Sequence, residues 1–198
     1  MFFKEKLHER RGRALELGCG SGNNLLLFAA FGWEVVGLDI SAAALSDARH
    51  NLGAAATLIE CDLAKDFPLD EAGEFDAILL PNILYYVPRE SFGKNLSDCK
   101  RRASPDAVLF LRARTPDDWR YRRGVEEEPD GYRLECRETG EYGLLNVFYT
   151  ADQLEGMVRS HFGALNNSYR LFATCDNPQS GIVVRNADVI IWGRSASR

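Results

Sequence analysis

The stretch Ala14-Leu15-Glu16-Leu17-Gly18-Cys19-Gly20-Ser21-Gly22 decides how the rest of the chain is read. A short apolar run enters three alternating glycines, and a helix-like segment, Asn23 to Phe31, leaves them. Glycine has no side chain to hold a ligand away from the backbone, and it enters left-handed conformations at little cost. A strand-to-helix turn of this composition brings backbone amides close to a nucleotide-like ligand. Spacing then narrows the choice. A dinucleotide fingerprint needs G-x-G-x-x-G, whereas Gly18, Gly20 and Gly22 alternate and Asn23 stands where the last glycine would fall. A phosphate-cradling loop needs a following G-K-[ST], and none is present.

Outward from this loop, Arg13 to Leu111 alternates short apolar runs with helix-like segments, the pattern of parallel strands joined by crossover helices. Strands are expected at 14–17, 34–38, 56–61, 75–80 and 107–111. The first helix stops at Gly32, and Ser41 can cap a second whose Leu45, Ala48 and Leu52 share a face before Gly53 ends it. Phe75 to Leu80 is nearly all apolar, as a strand covered on both faces should be, and Pro81-Asn82 marks its end. Pro88 suits the opening of another helix.

Periodicity fails across Arg112 to Gly140, so an insertion outside the core is expected on the substrate side, over about residues 112–149. Thr150-Ala151-Asp152-Gln153 has capping-box spacing ahead of Leu154, Met157, Val158 and Phe162. Tyr169 to Thr174 and Ile182 to Ile191 then flank the turn-forming residues Asp176 to Gly181, which predicts a terminal hairpin.

With 198 residues and 45% hydrophobic content, the chain suits a single domain spanning 1–198. Its formal charge of -5 argues against a field that draws in nucleic acid or anionic lipid. Five scattered cysteines, none in a C-x-x-C pair, point away from a disulfide framework and toward a reducing compartment. His8, His50 and His161 are isolated, so no metal is expected. Met1-Phe2-Phe3 is too short for a signal-peptide core and no apolar run approaches membrane length, so the expected location is cytoplasmic, away from the membrane.

Taken in order, E-L-G-C-G-S-G from Glu16, V-V-G-L-D-I-S containing Asp39, L-I-E-C-D-L with Asp62, and F-D-A-I-L-L-P-N ending at Asn82 resemble the ordered signatures of class I S-adenosylmethionine-dependent methyltransferases. The likeness covers Arg13 to about Leu111 closely, and the later helix and hairpin match the family's usual ending. It implies an α/β, Rossmann-like fold: a doubly wound, mostly parallel seven-stranded sheet with an antiparallel C-terminal strand. The implied cofactor is S-adenosyl-L-methionine. By the same resemblance Asp39 would accept from both ribose hydroxyls, Ile40 would pack on the adenine, and Asp62 would accept from the adenine amino group beside Leu63. Gly18, Cys19 and Gly20 would pass beneath the methionine, Glu16 would brace the loop or meet the amino group, and Pro81 and Asn82 complete the set. A carboxylate suits the ribose because it offers two acceptor oxygens to two neighbouring donors. One departure is the N-terminus, where about a dozen residues stand in place of the helices that often close over the cofactor.

Ligands of open α/β sheets bind beyond the carboxyl ends of the strands. That assigns Asn82, Leu84, Tyr85 and Tyr86, together with Arg112 to Tyr121, to a small-molecule substrate. The run Asp117 to Gly124, followed by Glu126-Glu127-Glu128-Pro129, resembles an insertion of tellurite-resistance-like methyltransferases; its Arg120, Arg122 and Arg123 could bind an anion or simply pair with the nearby glutamates. Transfer from a sulfonium asks mainly for alignment and exclusion of water. If the acceptor needs a base, Tyr85, Tyr86, Asp118 and His161 are the candidates. The expected function is methylation of a small molecule. A nucleic-acid or protein methyltransferase and a non-catalytic cofactor-binding protein are the alternatives, although strand four ends L-P-N-I and not N-P-P-Y as in amino-group modifiers of bases.

Overall fold

In a computed structural model that describes residues 1–54, 56–69, 73–179 and 181–196, the apolar runs become strands of one sheet. These are β1 (Arg13–Leu17), β2 (Glu34–Asp39), β3 (Thr57–Glu60), β4 (Phe75–Leu80) and β5 (Ala103–Arg114). Strands β6 (Gly124–Glu128), β7 (Gly131–Leu134) and β8 (Leu145–Val147) form a second, antiparallel sheet, and β9 (Leu165–Gln179) and β10 (Ile182–Ser195) return to the first. Helices α1 (Asn23–Ala30), α2 (Ala42–Leu52), α3 (Arg89–Arg101) and α4 (Ala151–Met157) cover the main sheet, α4 running on through a wider π turn at Val158–Phe162.

The main sheet has the order β3-β2-β1-β4-β5-β10-β9, parallel except for β10, which is antiparallel to both neighbours. This is the expected doubly wound sheet. The strand order reverses between β1 and β4, and a switch of this kind opens a crevice at the carboxyl ends of those two strands.

Local signals hold where their chemistry is short-range. Ser41 Oγ accepts the Ala44 N–H at 3.2 Å and caps α2. Thr150 Oγ1 accepts the Gln153 N–H at 3.2 Å while Gln153 Oε1 accepts the Thr150 N–H at 2.8 Å, a reciprocal box that starts α4. On the α3 and α4 side of the sheet, Leu15, Ile78, Leu109 and Leu111 pack against Phe92, Leu96, Leu154 and Phe162. On the α1 and α2 side, Ala14, Val35, Ala77 and Val108 meet Leu25, Phe28 and Leu45.

Three expectations need correction. Strand β5 begins at Ala103, not Ala107, because Asp106 takes a left-handed conformation (φ 64°) and the pairing with β4 shifts there as a bulge. The expected turn at 176–181 is largely strand: pairing runs on to Gln179 opposite Ile182, and Ser180 lies outside the described residues. Pro178 is tolerated because β9 is an edge strand, where a missing N–H need not break a ladder.

The third correction concerns 124–147, where no strand was expected: β6, β7 and β8 form their sheet there, with a small apolar cluster of Tyr132, Leu134 and Phe148, while Val147 and Tyr149 join the main core. Across 112–149 four charged side chains, Arg114, Asp118, Arg120 and Glu141, are buried, which hydrophobic periodicity cannot register. Buried Asp118 accepts the Arg120 N–H at 2.9 Å and Arg120 Nη1 at 3.0 Å through Oδ1, and the Ala187 N–H of β10 at 3.1 Å through Oδ2. Arg120 Nε also pairs with Glu141, which Arg114 Nη2 meets from β5 at 2.8 Å.

Among the described residues no helix is long and apolar enough to cross a membrane, and no group of three or more His, Cys, Asp or Glu side chains could hold a metal.

Removing one member of a buried ion pair strands the other, at a cost of roughly 3–5 kcal/mol. Asp118→Ala is therefore expected to lower the urea midpoint strongly, whereas Glu127→Ala, which breaks the exposed pair with Arg133, leaves it nearly unchanged.

Candidate cofactor site

Gly18, Gly20 and Gly22 all have positive φ, at 70°, 52° and 79°. At Gly18 a side chain would also strike Ile83 Cβ at 2.8 Å, so the turn is closed to other residues on two counts. The amides of this loop are not aimed at a ligand as the glycine pattern suggested. The N–H groups of Gly18 and Cys19 both donate to Leu38 O, at 2.7 and 3.0 Å, and that of Gly20 donates to Asp39 Oδ2 at 2.8 Å. These amides are spent on β2, so the loop is unsuited to gripping a phosphate and suits a ligand without one at that point. Gly37, to which sequence reading gave no role, lets the loop approach: a Cβ there would meet Cys19 Sγ at 2.6 Å. Burial pushes the Cys19 thiol up to about 12, which makes it a packing group and not a nucleophile.

Glu16, on β1, is 1% exposed. Its Oε1 accepts Asn24 Nδ2 at 2.7 Å, and its Oε2 is buried without a partner. Burial raises its pKa to about 8 against the lowering effect of the Asn24 bond, with the Asp39 charge adding to the rise. An orphaned buried acceptor marks a site completed by a donor from outside the chain.

Beyond the carboxyl ends of β1 to β4 lies a cavity of about 390 Å³. Gly18, Asp39, Ile40, Asp62, Leu63 and Asn82 all line it. Asp39 stands between the Gly20 N–H on Oδ2 and the Ser41 N–H on Oδ1 at 2.9 Å, so each oxygen keeps a lone pair for a further donor. Ile40 is 64% exposed, an apolar side chain left bare beside a cavity. Asp62 accepts the Ala64 N–H at 3.0 Å and pairs with exposed Lys65 at 2.8 Å, and these bonds, Lys65 first, hold its carboxyl below the usual range. Leu63 O accepts Asn95 Nδ2 at 2.9 Å and Ala64 O accepts Ser91 Oγ at 2.9 Å, which fastens this corner to α3. Pro81 faces the other side of the sheet, in a separate pocket with Phe2 and Phe28.

The far wall of the cavity comes partly from the 112–149 region expected on the substrate side, through two residues that sequence reading did not single out. Leu144 and Leu145 close it together with Tyr86. The Tyr86 hydroxyl donates to Glu141 Oε1 at 2.5 Å, and Arg114 lies 4.0 Å from the ring of Tyr85. Burial opposes ionisation of Glu141, but Arg114, Tyr86 and Arg120 together outweigh it and hold its pKa below the ordinary value. Both tyrosines are shifted upward, burial being the largest cause, so neither offers a base near neutral pH.

The other expected bases are also committed elsewhere. Asp118 is locked in its pair with Arg120. His161 lies against Gly93 and Ser97 of α3, in a groove that shares no lining residue with the cavity. Leu84 is buried in the main core. Of the three arginines after β5, Arg120 is internal and Arg123 stacks on Trp119 at 4.0 Å, donating to the Trp119 carbonyl. The N-terminal segment folds onto α1, with Phe2 packed edge-on against Phe28 at 4.8 Å.

Residues 14–106 match the family model described as a methyltransferase domain. They are a class I, S-adenosylmethionine-dependent methyltransferase domain. Over 101 residues the chain is 31% identical to the ubiquinone biosynthesis O-methyltransferase of Aromatoleum aromaticum, a match that covers 50% of this chain and 42% of that protein. The chain thus aligns with less than half the length of this curated relative. A SAM-dependent methyltransferase of Methanosarcina mazei superposes with a TM-score of 0.74 at 20% identity, covering 95% of this chain and 94% of that one. The 1,6-didemethyltoxoflavin-N1-methyltransferase of Burkholderia thailandensis, solved with 1,6-didemethyltoxoflavin and S-adenosylhomocysteine bound, gives 0.63 at 14% identity, covering 98% and 75%. At these identities the two structures speak for the fold alone.

The cofactor that goes with such a domain, S-adenosylmethionine, fits the methyltransferase site at two observed points: Oε2 of Glu16 is a buried acceptor without a partner, and the N–H groups of Gly18, Cys19 and Gly20 are already bonded and offer nothing to a phosphate.

Because Glu16 has a folded pKa near 8 against an ordinary value of 4.5, the folded state holds a proton that the unfolded chain has already lost between those two values. Stability contributed by this position therefore falls as pH rises through that window. Glu16→Gln removes the dependence, so its melting temperature relative to the parent is expected to climb steadily from pH 5 to pH 8 in calorimetric scans.

Proposed function

We propose that the protein transfers a methyl group from S-adenosylmethionine to a small molecule. Glu16 carries this reading. A buried carboxyl with one unsatisfied oxygen, on the strand next to the one that ends in Asp39, is what an ammonium-bearing nucleoside would complete. The small-molecule part draws support from the size of the cavity, bordered by Tyr86, Leu144 and Leu145, and from the net charge of -5, which repels nucleic acid. The ubiquinone-pathway relative and the toxoflavin enzyme carry small-molecule names, which points the same way.

When bound, the cofactor supplies an electrophilic methyl group on a sulfonium centre. Everything else falls to the chain's own residues. Asp39, held by two backbone N–H groups, keeps an acceptor site on each oxygen for a pair of neighbouring hydroxyls. Glu16 meets the ammonium through Oε2 and gives up its proton in doing so, since a cation at that oxygen favours the ionised form. Ile40 and Leu63 offer apolar surface to a flat base, and Asp62 an acceptor to its amino edge. Leu144 and Leu145 exclude water from the same face. Tyr85 and Tyr86 keep their protons and shape the wall, so catalysis rests on alignment and not on a dedicated base.

Two measurements test this. Titration calorimetry with S-adenosylhomocysteine should show binding with proton release near pH 7, and Asp39→Ala should weaken it by about 10- to 100-fold, as loss of a charged acceptor worth roughly 1.5–3 kcal/mol requires. Incubation with methyl-labelled cofactor and a cell extract should label the metabolite fraction; label found only in RNA or protein would overturn the small-molecule reading.

A further inference from the structure

Across the sheet from the cofactor cavity, on the α1 side of β4 and β5, lies a second pocket of about 290 Å³. Phe2, Leu27, Phe28, Leu79, Pro81 and Phe110 make it largely apolar. Two residues join it to the cofactor site. Asn24, on its wall, is the group that holds Glu16, and Pro81, also on its wall, precedes Asn82 of the cofactor cavity. The two hollows share no lining residue and lie on opposite faces of the sheet, closest where Pro81 of one adjoins Asn82 of the other at the carboxyl end of β4.

Arg112 stands beside Asn82 of the cofactor cavity. It follows Phe110 by two positions on β5 and so shares its face of the strand, and its Nη1 lies 3.5 Å from Asn82 Oδ1. Its Nη2 donates to buried Asp188 at 2.6 Å, while its Nε is buried without a partner. The side chain is nevertheless 37% exposed. A guanidinium has N–H donors in a flat fork matched to a carboxylate, and here Asp188 takes the fork from one corner only. An unpaired buried N–H is costly until an acceptor arrives.

We propose that the methyl acceptor is an aromatic carboxylate whose ring enters the apolar pocket and whose carboxylate binds Arg112, a proposal that rests on the methyl-transfer reading above. The pocket volume admits a bicyclic ring and little more. A single arginine, partly balanced by Asp188, matches one negative charge, which favours a monoanion over a phosphorylated metabolite.

The test uses the full chain saturated with S-adenosylhomocysteine, titrated with 2-naphthoate and with its neutral isostere 2-naphthamide. The acid is expected to bind at least tenfold more tightly than the amide. Arg112→Gln should bring that ratio close to one while leaving the affinity for S-adenosylhomocysteine within twofold, and Arg112→Lys, which keeps a charge beside Asp188, should give an intermediate ratio. Leu27→Gln on the exposed flank of α1 should weaken acid and amide alike. Equal binding of acid and amide to the parent protein, or binding of neither by protein that does bind S-adenosylhomocysteine, overturns the proposal. Failure to bind S-adenosylhomocysteine at all is a separate result that removes the cofactor reading itself.

Discussion

The site depends on the clamp between the end of β2 and the glycine loop. Leu38 O takes the N–H groups of Gly18 and Cys19, and the Asp39 carboxylate takes those of Gly20 and Ser41. Four amides, one carbonyl and one carboxylate thus fix the loop after β1 to the strand beside it and to the cap of α2. The clamp needs β1 and β2 to be adjacent, parallel and in register, and they pair from Arg13 with Glu34 to Leu17 with Leu38. It also needs a bare backbone at Gly37, because the loop descends until Cys19 touches that residue. A strand order, a glycine and an acid therefore act as one device, and the carboxylate so held is placed for a diol without having to be ordered when the ligand arrives.

This arrangement separates the loop from phosphate-binding turns with a similar sequence. In those turns the glycines free backbone amides to face an anion. Here they allow a close approach and positive φ, but the amides of Gly18, Cys19 and Gly20 are satisfied within the protein. Beside them Glu16 Oε2 is an acceptor without a partner in the chain. The electrostatic preference of the site is consequently for a donor or a cation, the opposite of a P-loop, although both begin with a glycine-rich turn after a strand.

Much of the sheet could be read from the chain because its signals are local. Apolar runs, Ser41 and Thr150 caps and the terminal glycines of helices act within a few residues, and the structure places each where its chemistry asks. Gly18, Asp39, Ile40, Asp62, Leu63 and Asn82 could be read for a related reason: strand order alone brings the carboxyl ends of β1 to β4 to one crevice. The roles of Asp118, Glu141 and Tyr86 could not. Their meaning depends on partners far away in sequence, such as Ala187 for Asp118 and Arg114 for Glu141, and a charge-rich stretch looks the same whether its charges face water or one another.

The inserted region imposes a further constraint. Burying Arg114, Arg120, Asp118 and Glu141 carries a desolvation cost that well-packed apolar residues would avoid. What the charges add is direction: each accepts or donates only along set axes, so the network admits few alternative packings. Glu141 is met by Arg114 of β5, by Arg120 of the loop that Asp118 ties to β10, and by the hydroxyl of Tyr86, which follows β4. Leu144 and Leu145, three and four residues on, are thereby set against the cavity. The wall over the cofactor site is thus referenced to β4, β5 and β10 together, the same strands whose ends carry Asn82, Arg112 and Asp188. A shift of that wall would have to break an ion pair in a place where no water can replace it, which ties the shape of the cofactor cavity to that of the acceptor rim.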